Sequence, residues 1–531
     1  MGPRPHPPSS PSDRTFSASS RPVQLILEFA QTGAQAFPPC PRPPFNASLA
    51  DRQKTPMKYV ANIGLEVHVQ LKTRTKMFCA CPAHREGDAP NSHVCPVCLG
   101  LPGALPTVNG EAVKKTVQVG LMIGSRINLA SRFDRKNYFY PDMPKNYQIS
   151  QQYLPLCTGG GVEIVLADGT KKFIRVNHIH QEEDAAKISH WGDASGIDYS
   201  RASTPLMELV SEPDMSSPEE AVAFLSALKE MFLHADISEC NLEMGHMRAD
   251  VNSSVRPEGS DALGVKCEIK NMNTFRGIQR ALAYEIRRQT ETLESGGTLR
   301  QETRRWDDEL GVTEPMRSKE YAHDYRYFPE PDLPPVVLDG ATVEAWKAEL
   351  PELPRARRAR FETEYGLPAY DAGVLVADRA LADWFEEAAA ASGNPKAASN
   401  WVMGELLHAL DEAGKTLADC AITPAALGKL IGLVEKGTIN MPAAKQVFAE
   451  LFAKGGDPET IVREKGLAQV DDEGAIEGMA RAAIEANPKS VADYQAGKAA
   501  ALMYLVGQVM KASRGKANPA KARALLEKLL S

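Results

Sequence analysis

The sequence changes its periodicity once, near residue 350, and that change constrains the fold more than any other feature. Before it, Ile63-Gly-Leu-Glu-Val-His-Val-Gln-Leu71, Phe173-Ile-Arg-Val-Asn-His-Ile-His180 and Met247-Arg-Ala-Asp-Val-Asn-Ser-Ser-Val255 alternate apolar and polar residues with the period of two of a pleated strand. Helical stretches intervene, as at Ser217-Pro218-Glu219-Glu220, which reads as a capped helix start with proline in its first turn. After Pro351, Ala, Leu, Glu and Lys dominate, and Gly and Pro retreat to boundaries such as Gly455-Gly456-Asp457-Pro458. This predicts an α+β chain: a mixed domain with an open sheet from Lys58 to about Asp339, then a nearly all-helical half. At 531 residues the chain can bury ample core and divides into two to four domains.

Residues 1–56 are rich in Pro, Ser and Arg, with one short apolar stretch from Val23 to Phe29. Such a composition predicts disorder. Met57 immediately precedes the first strand-like run, so the segment reads as an upstream extension; its Arg-rich, acid-poor character also fits an organelle transit peptide. No apolar run approaches the ~20 residues of a membrane-spanning helix, and the expected location is cytoplasmic, or organellar on the transit reading. A formal net charge of −7 restricts any nucleic-acid contact to a local basic patch.

Nine cysteines, an odd number without a secretory leader, favour a reducing compartment and thiolate ligands over disulfides. Cys79-x-Cys81 and Cys95-x-x-Cys98 form two ligand pairs, and Pro96 and Gly100 suit a tight metal-binding turn. Four thiolates close a tetrahedral zinc site with no position left for water, so the metal is expected to be structural. His84 and His93 read as surface residues of the intervening loop.

Strand faces give a second constellation. Alternation puts Glu66, His68 and Gln70 opposite Leu65, Val67 and Val69, and Arg248, Asp250 and Asn252 opposite Met247, Ala249 and Val251. A third run, Val265 to Lys270, sets Lys266, Glu268 and Lys270 on one side. A single strand of this kind is usually a solvated face. Glu66, His68, Asp250 and the knot Glu182-Glu183-Asp184 after His178 and His180 are, however, the oxygen and imidazole donors that divalent cations take. The pattern points to a magnesium and nucleotide site on an open sheet, with Lys136, Arg201, Lys270 and Arg326 as candidate phosphate contacts. No P-loop, dinucleotide fingerprint or protein-kinase motif occurs, and no hydrolase nucleophile is evident, so a nitrogen donor would come from another chain.

The sequence from Leu505 onward holds Lys511, Arg514, Lys516, Lys521, Arg523 and Lys528 against the single acid Glu527. On an acidic protein this is a candidate phosphate-contact patch, or else the solvated end of a helix.

Several runs together resemble the B subunit of the heterotrimeric aspartyl/glutamyl-tRNA amidotransferase: Ile63 to Val69, Phe133-Asp-Arg-Lys-Asn-Tyr-Phe-Tyr-Pro-Asp142, Tyr147 to Gln151, His180-x-Glu-Glu-Asp184, Ser211 to Asp214, Gln301 to Arg305, Asp324-Tyr-Arg-Tyr-Phe-Pro-Glu-Pro-Asp332 and Gly515 to Pro519. The resemblance covers the chain from about Met57 to its end. It implies a cradle-shaped kinase domain over 57–345 with a zinc knuckle at 79–98, a helical domain over 346–460 and a helical tRNA-holding tail over 461–531. It further implies that ATP and magnesium phosphorylate the side-chain carboxylate of Glu-tRNA(Gln) or Asp-tRNA(Asn). Ammonia from the amidase, the A subunit, then displaces phosphate, and a small C subunit holds the other two together. Carried over by position, the catalytic metal ligands fall on Glu66, His68, Glu183 and Asp250, with Glu182 and Glu208 beside them, and tRNA contacts on Lys511, Arg514, Lys516, Lys521 and Arg523. The competing expectation is a non-catalytic zinc-containing RNA-binding module, which leaves the Glu, His and Asp convergence unexplained.

Overall fold

Period-two alternation becomes one large twisted sheet. The chain is described by a computed structural model covering residues 58–83, 87–316, 322–469, 473–513 and 517–530. The Pro-rich segment, for which disorder is expected, lies outside these residues. Among those described, the elements that build the site are β1 (Tyr59–Gln70), α1 (Gly110–Met122), β2 (Lys171–Glu183), β3 (Pro205–Ser211), α2 (Pro218–His234), β4 (Met247–Pro257), β5 (Cys267–Lys270), α3 (Phe275–Glu294), β6 (Glu302–Asp307) and β7 (Val312–Pro315). They run across the sheet in the order β7-β6-β5-β4-β1-β3-β2. Every neighbour in that series is antiparallel except β5 and β6, which are parallel and joined through α3.

The sheet is two-faced because its strands are. Ile63, Leu65, Val67 and Val69 of β1 are at most 1% exposed and join Leu209, Val251 and Ile269 in a core with Val117 of α1, Phe224 and Leu228 of α2 and Ile278 and Leu282 of α3. Each such side chain contributes roughly 1.5–3 kcal/mol by leaving water. A one-residue slip of β1 would drive Glu66 and His68 into that core, so register is strongly specified. Helix α2 starts as its sequence predicts: the Ser217 hydroxyl accepts from the Glu220 amide at 3.2 Å, and Pro218 occupies the first turn.

Helix α3 is also tied to the sheet by charge. The buried Glu285 carboxylate accepts from Arg288 at 2.9 and 2.6 Å, from Gln289 at 2.8 Å and from the Thr313 hydroxyl of β7 at 2.9 Å. Burial alone would raise its pKa, but Arg288, Gln289 and Thr313 outweigh this and hold it below the ordinary carboxylate value. Glu285→Gln should therefore cost about 3 kcal/mol, read as a lowered urea midpoint at neutral pH. Because the folded pKa is depressed, this contribution is full above the unfolded-state pKa of about 4.3 and fades as pH falls through the folded value. The gap between wild type and variant should close in acid; a gap independent of pH would refute this account.

Beyond the sheet domain the period becomes helical. A second core runs from Phe361 to Val462 and includes Phe385, Trp401, Leu430 and Phe448. A third, from Ile476 to Leu526, is built by the helices Glu473–Ala486, Ala499–Ala512 and Pro519–Leu530. Among the described residues no helix is long and apolar enough to cross a membrane.

Candidate active site

The polar face of the sheet is assembled by register. On β1, His68 stands opposite Glu208 of β3 and Arg248 of β4, while Glu66 stands opposite Asp250 of β4. Glu208 in turn stands opposite His180 of β2, and Asn252 of β4 opposite Glu268 of β5. Two donor clusters result. His68, Glu182 and Glu208 bring one ligand atom each to within 4.8 Å of one another, and so do Glu66, Asp250 and Glu268. Two residues of strand rise separate His68 from Glu66, so the clusters are neighbours, about 7 Å apart along β1.

In the first cluster the His68 Nε2 lies 3.2 Å from Glu208 and 3.7 Å from Glu182, and the His180 Nε2 lies 3.6 and 3.7 Å from the same two carboxylates. Burial lowers the His68 pKa, but Glu208, Glu182 and Asp250 overcome it and lift the imidazole to about 9. His180 is raised by the same balance, with burial opposing Glu208 and Glu182. The half-buried Lys136 ammonium, lowered by desolvation but raised overall by Glu182 and Glu208, reaches this cluster from the strand Asp134–Asn137 and lies 5.1 Å over the Tyr325 ring. In the second cluster Lys270 binds Asp250 and lies 3.3 Å from Glu268, the Asn252 amide donates to Glu66 at 2.9 Å, and Thr303 donates to Glu268 at 2.9 Å. Excess negative charge, balanced here by His68, Lys136 and Lys270, is what a bound divalent cation would offset.

The structure redistributes the expected ligand set. Glu66, His68 and Asp250 do share a face with Glu208, but they divide between two clusters rather than surrounding one point. Glu183 joins neither: its buried carboxylate accepts from Lys145 at 2.6 Å and from the Ile149 amide at 2.9 Å. The cause is a bulge. Ile174 and Val176 face the core, and uninterrupted alternation would leave Glu183 on the polar face. At Asn177 the pairing with β3 shifts, Val210 meeting His178 and Ser211 meeting Val176. The extra residue inverts the phase, so Ile179 and Gln181 turn inward and Glu182 takes the polar side.

Of the candidate phosphate contacts, Lys136 and Lys270 sit in the clusters. Arg201 does not: its guanidinium donates to the Ala185 and Ala186 carbonyls at 2.9 and 2.8 Å and lies 3.9 Å from Asp184. Arg326 is exposed, with its guanidinium 6.0 Å over the Phe139 ring. Glu268 and His180 complete the clusters and were absent from the expected ligands. Glu268 was legible as a member of the Lys266, Glu268, Lys270 face, but only its pairing with Asn252 reveals that it reaches Glu66 and Asp250.

The four spaced cysteines converge. Cys79, Cys81, Cys95 and Cys98 bring their sulfurs within 4.8 Å of one another, and the Cys95 amide donates to the Cys98 sulfur at 3.1 Å. The hydrogen bond from Cys79, aided by the Cys95 amide and the nearby Lys76 ammonium, outweighs burial and lowers the Cys98 thiol to about 4. Lys76 is fully buried, its Nζ 3.6 Å from that sulfur and 3.2 Å from the Tyr199 carbonyl. His84 lies outside the described residues; His93 lies 3.2 Å from Asp88. In the tail, Lys511 lies in the last turn of the helix Ala499–Ala512, Lys521 and Arg523 lie on Pro519–Leu530, and Arg523 pairs with Glu527 at 2.9 Å. Arg514 and Lys516 lie outside the described residues.

A sheet floored with carboxylates and imidazoles, followed by helical domains, defines a protein of the class whose family model is described as the GatB/GatE catalytic domain, which matches residues 61–344; a second model, the GatB domain, matches residues 383–530. The chain is 53% identical over 479 residues to the aspartyl/glutamyl-tRNA(Asn/Gln) amidotransferase B subunit of Carboxydothermus hydrogenoformans, covering 89% of this chain and 99% of that one. It is 51% identical over 476 residues to the same protein of Thermoanaerobacter pseudethanolicus, with 90% and 100% coverage, and 48% identical over 475 residues to that of Solidesulfovibrio magneticus, with 89% and 99% coverage. The chain belongs to the family of aspartyl/glutamyl-tRNA(Asn/Gln) amidotransferase B subunits.

Proposed function

We propose that this protein activates and amidates the side-chain carboxylate of glutamate on tRNA(Gln), aspartate on tRNA(Asn), or both. The observation that carries this reading is the pair of adjoining donor clusters on one open sheet face, each with a lysine against it. A non-catalytic RNA-binding module has no use for six converging acid and imidazole groups.

A carboxylate is a poor acyl electrophile because its leaving group would be oxide. Transfer of the γ-phosphoryl of ATP to it forms an acyl phosphate, and attack by ammonia at the acyl carbon then releases inorganic phosphate and leaves the amide. Such transfer depends on positioning and on compensating charge. The donor set fits magnesium, which takes hard oxygen ligands. Each cluster would hold its own ion, His68, Glu182 and Glu208 one and Glu66, Asp250 and Glu268 the other, and when bound the metal supplies neutralisation of phosphate charge. Lys136 and Lys270 contribute fixed positive charge beside the phosphates. Asn252 and Thr303 orient Glu66 and Glu268 by hydrogen bonds.

The four-cysteine cluster fits zinc: four thiolates complete a tetrahedron, an amide N–H donates to one sulfur, and the buried Lys76 ammonium offsets the anionic charge. Ammonia would come from the amidase, the A subunit, with a small C subunit as the third member of the complex. The tail lysines and arginines would hold the tRNA backbone, and the setting would be cytoplasmic. The direct test supplies the assembled complex with Glu-tRNA(Gln), ATP and ammonium in place of glutamine. Gln-tRNA should accumulate with one ADP and one phosphate per amide formed. Amide formation without ATP cleavage would sink the phosphorylation step.

A further inference from the structure

Two runs far apart in sequence, Phe133–Asp142 and Asp324–Asp332, are brought together because the strand Asp134–Asn137 pairs with Phe328–Pro329. The Asn137 amide donates to the carbonyls of Tyr325 at 3.0 Å and Arg326 at 2.9 Å. Arg326 is held in the left-handed region, at a φ of 47°. A non-glycine residue keeps that conformation where its surroundings over-determine it, and such strain gathers at ligand clamps. Here the result is a guanidinium poised over the Phe139 ring. Phe139 is 73% exposed, and its neighbour Tyr140 is 59% exposed. Inward from them, Tyr325 packs edge-on against Tyr138 and Tyr327 at 6.4 and 6.1 Å and lies beneath the Lys136 ammonium, which faces Glu182 and Glu208. Phe139 is thus joined to the first donor cluster through Arg326 over its ring, the adjacent Tyr325, and the Lys136 ammonium above Tyr325.

We propose that Phe139, with Arg326 beside it, is a stacking platform for the 3′-terminal adenine of the aminoacyl-tRNA. This rests on the function proposed above. The carboxylate to be activated is attached to that terminal nucleotide, so when the carboxylate reaches the donor clusters its base must lodge nearby. An exposed ring supplies a stacking surface, and an arginine supplies cation–π contact and a phosphate partner. The adenine of ATP has the same chemistry and is the rival occupant. The outermost position of Phe139 favours the tRNA end, whereas ATP phosphates must lie at Lys136 and Lys270.

The test uses the assembled complex. Phe139→Ala should raise KM for Glu-tRNA roughly ten-fold or more, as loss of one stacked base implies, leave KM for ATP unchanged, and be rescued by Phe139→Trp. In parallel, binding of uncharged tRNA is compared with that of tRNA lacking its terminal adenosine. The wild-type complex should lose affinity on removal of that nucleotide, and the Phe139→Ala complex should bind both alike. An unchanged KM for Glu-tRNA, or a KM for ATP that rises instead, overturns the proposal. The binding arm needs no amidation: a wild-type complex that binds tRNA yet forms no Gln-tRNA would count against the proposed reaction while leaving this comparison decisive.

Discussion

His68→Ala and Asp250→Ala, each assayed in the assembled complex with ammonium as nitrogen donor, should lower Gln-tRNA formation on the order of a thousand-fold or more. Each variant removes one donor from a different cluster: His68→Ala takes the imidazole from between two carboxylates, and Asp250→Ala takes a carboxylate ligand and leaves Lys270 without that partner. His68 lies between Glu208 and Glu182, and Asp250 anchors Lys270. Using ammonium removes any dependence on the amidase, so the loss is assigned to activation. Binding of tRNA and glutamine hydrolysis by the partner should change little, because neither uses these groups. Near wild-type rates for both variants would mean that the clusters are only the solvated side of a sheet. Activity lost in one variant alone would restrict the chemistry to that cluster.

Cys95→Ser and Cys98→Ser should strip zinc from the chain and unfold the knuckle. Structural zinc sites carry apparent binding energies on the order of 10 kcal/mol, and where the site does not exist unfolded that energy is folding energy. Here the knuckle is bonded into the rest of the domain: the Asn91 amide donates to Asp198 at 2.7 Å, and Lys76 joins the Cys98 sulfur to the Tyr199 carbonyl. Loss of metal should therefore loosen the hairpin Lys187–Trp191 and Ala194–Asp198 as well as the loop itself. Metal analysis of freshly purified wild-type and variant chains, with proteolysis near residues 79–98 as the second readout, decides the matter. A wild-type chain without zinc, or a serine variant that retains it, would remove the metal from the account.

Features set by short-range physics were legible in the sequence. Alternation is a local property of the pleat, so Ile63 to Leu71 alone showed that Glu66 and His68 share a face and that Leu65, Val67 and Val69 turn inward. Thiolate pairs at short spacing identify a cluster without knowledge of the fold, and the four sulfurs do meet. The change to helix after Pro351 followed from composition and boundary residues. The sequence also carried the cationic character of Lys136 and Lys270, though not their positions.

Only the tertiary structure decided which strands are neighbours and in what register. That pairing, a long-range outcome of packing α1, α2 and α3 on one side of the sheet, sets Glu66 against Asp250, His68 against Glu208 and Asn252 against Glu268. It splits one expected ligand set into two clusters and adds Glu268 and His180. It also decided between adjacent glutamates: the bulge at Asn177 arises where β2 meets β3, and no local rule of alternation reports the phase beyond it, so Glu182 faces the site while Glu183 is given to Lys145. Side-chain chemistry is written residue by residue, but the distances that turn it into a site come from the sheet.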